Sequence, residues 1–321
     1  MIVNCVSYRE GERVGEIPIE DISEALAQPN AFVWLGLHEL ELSLLLKVQE
    51  EFGLHELAIE DAQSAHQLPK MEVYGESIFI VVKTIHLEQG KLEVGETHFF
   101  VGKNYIVSIR HGRSLGYAPI RAKCEYIPKM LKKGPGFALY ALMDFIVDCY
   151  QPVMGQFEAE FEKLEHTIFN GQFDRMAIGH MYDLKSQILH VRNAILPMDD
   201  ICNQLMHFHE DIIPKELRAY YRDIKDHVNK VINMTDSMRE MLSTAMQVHL
   251  GIVAIGQNDI VKRLAGWGAI LAIPTVVFSL YGMNFTAMPE LKSSYGYPIV
   301  LIFTIFCCFC LYRKLNHEGW L

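Results

Sequence analysis

Apolar positions change their period twice along the chain. Up to about residue 135, short runs rich in Val, Ile, Phe and Tyr alternate with amphipathic stretches. The runs Ile2–Ser7, Ala31–Leu35, Ser77–His86, Glu96–Val101 and Tyr105–Arg110 predict strands, bounded by turns such as Glu88-Gln89-Gly90 and Gly102-Lys103-Asn104. Helical spacing predicts short helices over Ile19–Leu26, Leu40–Phe52 and His55–Gln63. Residues 1–135 therefore read as a small α/β domain.

From 136 to 264 the strand signals vanish and three helical segments remain: Phe137–Phe169, Phe173–Met206 and one from Lys215 onward. Asn170-Gly171 and Ile212-Ile213-Pro214 separate them. In the third, Leu217, Tyr221, Ile224, Val228, Val231, Met234, Met238, Met241 and Ala245 recur at threes and fours, a seam for packing on another helix. Nothing breaks that helix before 265, which predicts a rod on the order of 90–100 Å at 1.5 Å per residue.

Charge then disappears. No charged residue lies between Ala265 and Pro289, nor between Ser293 and Tyr312. Each window reaches about the 20 residues that cross a bilayer core, so spans are expected at about 265–285 and 294–312. Lys262 and Arg263 precede the first and Arg313 and Lys314 follow the second, while the connecting loop holds Glu290 and Lys292. By the positive-inside rule both termini face the cytoplasm, in a bacterium across the inner membrane. The N-terminus has no apolar signal-peptide core. The expected architecture is a cytoplasmic α/β domain (1–135), a cytoplasmic helical region with a stalk (136–264) and a transmembrane domain in contact with lipid (265–321). A rod that long, and two spans that cannot enclose a water path alone, imply a homo-oligomer.

Composition adds three limits. The net charge of −10 argues against nucleic acid as a partner and suits attraction of cations. No Gly-rich phosphate loop or nucleophile motif is present, so no enzyme is indicated. Cys307, Cys308 and Cys310 lie in the second span, where packing or lipid contact is the expected role.

On a helical wheel, Asn258, Val261, Leu264, Ala265, Gly268, Ala272, Thr275, Ser279 and Gly282 share roughly one third of the circumference, with Ile270, Ile273, Val277 and Tyr281 largely opposite. A stripe of small and mildly polar residues suits tight helix packing or the wall of a pore. It ends in Gly282-Met283-Asn284, which alone would be a helix C-cap.

The run Tyr281-Gly282-Met283-Asn284-Phe285, then Met288-Pro289-Glu290-Leu291 and Tyr295-Gly296-Tyr297-Pro298, resembles the signature of CorA-type Mg²⁺ channels. Leu57-Ala58-Ile59-Glu60-Asp61 with His66-Gln67-Leu68-Pro69-Lys70 resembles their cytoplasmic segment, and Tyr220-Tyr221-Arg222-Asp223-Ile224-Lys225-Asp226-His227 their stalk motif. The resemblance implies a funnel-shaped homopentamer with a central pore. Gly282, Met283 and Asn284 would form the selectivity filter; Asn258, Val261, Leu264, Gly268, Ala272, Thr275 and Ser279 would line the pore. Where the family often carries a bulkier apolar residue, Ala272 implies a wider upper constriction. The resemblance also implies a regulatory Mg²⁺ site between subunits, with Asp61 facing Asp223 and Glu60 and Asp144 assisting; taken singly, each of these carboxylates also reads as an acidic residue on a solvated helix face. Glu290, a lone carboxylate in the loop between the spans, reads as gathering cations outside or as a solvated loop residue. Mg²⁺ would be both cargo and regulator, with Co²⁺ and Ni²⁺ as further cargo. A zinc transporter of the same superfamily and a membrane-tethered scaffold are the rival readings. His207 and His209, beside Glu210 and Asp211, read as a polar turn or an accessory metal contact.

Overall fold

The computed structural model describes residues 1–39, 41–64, 67–88, 90–113, 115–169, 175–208, 210–283, 288 and 293–321. It divides into two compact units, Met1–Ser243 and Thr244–Leu321.

The first unit is built on one seven-stranded sheet in the order β2-β1-β3-β7-β6-β5-β4. The strands are β1 (Ile2–Arg9), β2 (Glu12–Glu16), β3 (Ala31–His38), β4 (Lys70–Tyr74), β5 (Ser77–Glu88), β6 (Lys91–Val101) and β7 (Tyr105–His111). Only β3 and β7 pair in parallel; the other neighbours are antiparallel. All five expected strands are present, several longer than their apolar runs. The two without a sequence signal, β2 and β4, are the two edges of the sheet. Their sequences, ERVGE and KMEVY, carry charge where an edge must resist pairing with another chain, and that charge hides the strand pattern.

Helices α1 (Ile22–Leu26), α2 (Leu42–Phe52) and α3 (Glu56–Gln63) cover one sheet face. Leu45, Val48, Phe52, Ala58, Ile59 and Ala62 pack there against Val33, Leu35, Val81, Phe100, Val107 and Ile109. Helices α4 (Ala118–Glu125) and α5 (Pro128–Leu131) follow the sheet. The expected helix over Phe137–Phe169 is two, α6 (Pro135–Asp148) and α7 (Tyr150–Phe169), meeting at Cys149. Pro152 has no N–H to give the Asp148 carbonyl, so the hydrogen-bond ladder restarts there. Helix α8 (Arg175–Phe208) completes the set before a 3₁₀ turn over Lys215–Leu217.

Helix α9 then runs from Arg218 to Tyr281 without interruption. Its seam differs from the sequence reading in two positions. Val228, Val231, Thr235, Met238, Leu242 and Ala245 are buried, whereas Met241 is 39% exposed and Met234 only half-buried. The period is set by spacing, and Thr235 fits it because its hydroxyl donates to the Ile232 carbonyl at 2.7 Å. The crossing with α6 is close. The Tyr221 hydroxyl donates to the Gly136 carbonyl at 2.8 Å. A Cβ at Gly136 would stand 2.3 Å from the Ile212 carbonyl oxygen.

In the second unit α9 packs on α10 (Gly296–His317). Both helices are long and apolar enough to cross a membrane. A Cβ at Gly266 would meet the Leu321 side chain at 3.1 Å, a tight contact that a small shift of that side chain would relieve. Pro274 lies inside α9 and cannot donate to the Ile270 carbonyl. The Cys308 thiol of α10 donates to that oxygen instead, at 3.7 Å.

Gly136→Ala is expected to lower stability by about 1–3 kcal/mol, because the backbone on the other side cannot yield. Gly155→Ala, in α7 with nothing within 4 Å, is the control and should be neutral or stabilising. Thermal unfolding of the detergent-solubilised chain measures both.

Candidate metal centre and ion path

Three potential ligands converge where α9 crosses α6. Asp144 on α6 and Asp223 and His227 on α9 present ligand atoms within 4.8 Å of one another, the one such group of three among the described residues. Asp223 and His227 are four apart, hence on one helix face, and the Tyr221–Gly136 bond two residues away fixes their height against α6. Asp144 and His227 are half-buried and Asp223 is exposed.

The electrostatics favour a cation. Burial, then the neighbouring Asp148, push the Asp144 carboxyl above its usual range, only partly offset by His227. Tyr140 is pushed up to about 12 by burial, then by Asp144 and Asp223. The His227 Nδ1 lies 3.3 Å from the Asp148 carboxylate, off the axis of a good hydrogen bond. Among the described residues neither Asp144 nor Asp223 forms an ion pair with a Lys or Arg, and the more distant Lys123 offsets the negative charge only in part, a condition that a divalent ion would relieve. Two carboxylates would suit Mg²⁺, while the imidazole also accepts softer divalent ions.

The sequence reading placed Asp144 and Asp223 in this set and missed His227, although the i, i+4 spacing from Asp223 was visible. Glu60 and Asp61 sit on α3 and are outside the group. Asp61 is already paired: Lys70 Nζ reaches its Oδ2 at 2.7 Å and the Glu72 carboxylate at 2.9 Å. Burial opposes the Lys70 ammonium, but the bonds to Asp61 and Glu72 outweigh it and raise its pKa. An ammonium therefore stands where a cation would meet Asp61. His207 bonds its own helix through the Asn203 carbonyl at 2.8 Å, and Glu210 pairs with Lys215 and Arg218.

Along the second unit, Asn258, Val261, Leu264, Gly268, Ala272, Thr275 and Ser279 are all exposed within one chain. Ile270, Ile273, Val277 and Tyr281, on the opposite face, are partly covered. The stripe lies within the part of α9 that α10 leaves open, which also exposes the bulky Trp267, Leu271, Val276, Phe278 and Leu280. Helix α9 ends with the Gly282 amide donating to the Phe278 carbonyl at 2.9 Å, and Gly282 and Met283 are exposed beyond it. Asn284, His209 and Glu290 lie outside the described residues.

Asp144→Asn should weaken Co²⁺ binding at least about tenfold, and His227→Ala should weaken Co²⁺ more than Mg²⁺. Because a proton competes at a carboxyl with a raised pKa, affinity should also fall as pH drops from 7 towards 5. Titration calorimetry with the d–d absorption of bound Co²⁺ measures all three.

Comparisons with known proteins bear on the family and the fold. Residues 29–316 match the model of the CorA-like Mg²⁺ transporter protein family. YfjQ of Bacillus subtilis is 30% identical over 312 residues, covering 97% of this chain and 96% of its own. The cobalt/magnesium transport protein CorA of Thermotoga maritima is 28% identical over 269 residues, 83% of this chain and 76% of that one. The complete structure of the CorA magnesium transporter from Methanocaldococcus jannaschii superposes with a TM-score of 0.79 at 20% identity, each chain covered fully. That likeness shows the fold: an N-terminal α/β domain, a long stalk helix and two apolar C-terminal helices. A match over this much of the sequence, with that fold and those two helices, makes the chain a membrane protein of the CorA-like Mg²⁺ transporter family.

Proposed function

We propose that this chain is one subunit of a homopentameric channel that admits hydrated Mg²⁺ across the bacterial inner membrane, with Co²⁺ and Ni²⁺ as further cargo and both termini cytoplasmic. The observation that carries the proposal is the stripe of small, mildly polar residues along α9, all exposed beside α10, which leads in sequence to Gly282-Met283-Asn284. Copies of α9 brought together on that face would enclose a path lined by Asn258, Val261, Leu264, Gly268, Ala272, Thr275 and Ser279. Names of the relatives, cobalt/magnesium and magnesium transport proteins, support the choice of cargo.

Mg²⁺ gives up its waters reluctantly. A filter of charged ligands would strip the ion and then hold it. A ring of neutral Asn284 amides accepts hydrogen bonds from the ion's own waters, recognising hydrated size while letting it leave. Val261 and Leu264 form an apolar constriction that closes by dewetting, and Glu290 gathers cations at the outer mouth.

Cytoplasmic Mg²⁺ closes the channel by binding between subunits, through Asp61 and Asp223 with Glu60 and Asp144. His227 joins this set, and it makes the regulatory site tighter for Co²⁺ than for Mg²⁺. Filled sites hold neighbours together; emptied ones oppose like charges. A site at ten times its Kd contributes about 1.4 kcal/mol, so five interfaces supply roughly 7 kcal/mol. That exceeds the ~5.5 kcal/mol that swings a 1:99 equilibrium to 99:1.

Two measurements test this. Asn284→Ala is expected to abolish Mg²⁺ flux into liposomes while the protein still assembles, since the ring loses its oxygens and keeps its packing; normal flux would refute the filter. Asp61→Asn with Asp223→Asn removes the differential affinity for the closed ring, without which Mg²⁺ shifts nothing. The double variant should conduct at internal Mg²⁺ levels that shut the parent in excised patches. Closure over an unchanged Mg²⁺ range would reduce these carboxylates to a solvated acidic face.

A further inference from the structure

A cavity of about 730 Å³ opens in the first unit and shares no residue with the Asp144 group. Strands β5, β6 and β7 supply Lys83, Lys91, Glu96 and His111, and α8 supplies Asp183 and Gln187. Its size is that of a small-molecule pocket.

The floor is electrically closed. Lys83 Nζ and Glu96 Oε2 pair at 2.5 Å, with the Glu96 side chain 3% exposed. Burial opposes the Glu96 charge, but bonds from His98 and Lys83 outweigh it and hold the carboxyl at about 2. The rest of the lining is not satisfied. His111 is 7% exposed, and its Nε2 and the Gln187 Oε1 are buried with no hydrogen-bond partner among the described residues. Burial, then His98, lower the His111 pKa, and its hydrogen bond with the Ala62 backbone engages the ring from the other side. A neutral imidazole so held offers Nε2 as an acceptor. Asp183 and Lys91, on the same cavity, form no ion pair among the described residues.

We propose that this cavity binds a small zwitterion with one ammonium and one carboxylate, the class of free α-amino acids. The ammonium donates to His111 Nε2 and Gln187 Oε1 beside the Asp183 charge, and the carboxylate meets Lys91. A polyanion would find one unpaired cation only. A metal would need three converging ligands, and among the described residues these converge at Asp144, Asp223 and His227 and not here. A wholly apolar guest would leave both buried acceptors unpaired, at a cost of about 1–3 kcal/mol each.

The test is calorimetry on the full-length protein in lipid nanodiscs, titrated with each of the common L-amino acids, with n-butylamine and with butyrate. At least one amino acid should bind with Kd below about 1 mM, and the half-molecules at least about tenfold more weakly. Asp183→Asn and Lys91→Gln should each weaken that binding about tenfold and leave Mg²⁺ binding at the Asp144 group unchanged, which also reports that the variants fold. The proposal is overturned if no amino acid gives heat at 10-fold above that ceiling, if butylamine binds as tightly as the amino acid, or if neither variant changes the affinity. Displacement of the amino acid by Zn²⁺, lost in His111→Gln, would overturn it in favour of a metal site.

Discussion

Everything about the carboxylate group depends on the crossing of α6 and α9. At Gly136 the missing side chain lets the Ile212 carbonyl come within what would be 2.3 Å of a Cβ, and the Tyr221 hydroxyl closes the crossing on the Gly136 carbonyl. That hydroxyl is buried, and burial pushes its pKa well up, so it stays a neutral donor. Asp144 lies about two turns along α6 from Gly136, and Asp223 and His227 follow Tyr221 within about two turns of α9. A slip of one residue at the crossing would rotate either set by about 100° and disperse the ligands.

The first unit handles its negative charge in three distinct ways. Glu96 is buried with Lys83 and kept ionised. Asp61 is partly buried and shares Lys70 with Glu72. Asp144 has no ion pair with a Lys or Arg among the described residues, and burial with the neighbouring Asp148 outweighs the charges of His227 and Lys123, so its carboxyl is held towards protonation. Lys70 gives Asp61 a different behaviour: an incoming cation there must first displace an ammonium.

The membrane spans, the central strands and the long stalk helix were legible in the sequence because each repeats one rule over many residues. Edge strands β2 and β4 were not, since charge that protects an edge erases alternation. The break between α6 and α7 turned on a single missing N–H at Pro152. In the stalk seam Met234 and Met241 outweighed Thr235 on hydrophobicity, but the period placed Thr235 inside. Of the candidate site, Asp144 and Asp223 came through a resemblance, and their proximity required the fold. His227 was within reach of spacing alone. The cavity beside His111 could not be read: its acceptors lie on β7 and α8, distant in sequence, and burial made them count.

The proline in α9 has a mechanical consequence. An unbroken helix bends by straining many equivalent hydrogen bonds at once, and so resists flexing evenly along its length. Pro274 removes one of those bonds, and a weak thiol contact from Cys308 takes its place at the Ile270 carbonyl. Bending stiffness is therefore lowest at one level within the span. There the acceptor is held by a soft, polarizable sulfur on the neighbouring helix. A torque on α9 within the second unit would concentrate at that level, where α10 meets it through the Cys308 sulfur, while Trp267 and Tyr312 hold the two helices together nearer the other end.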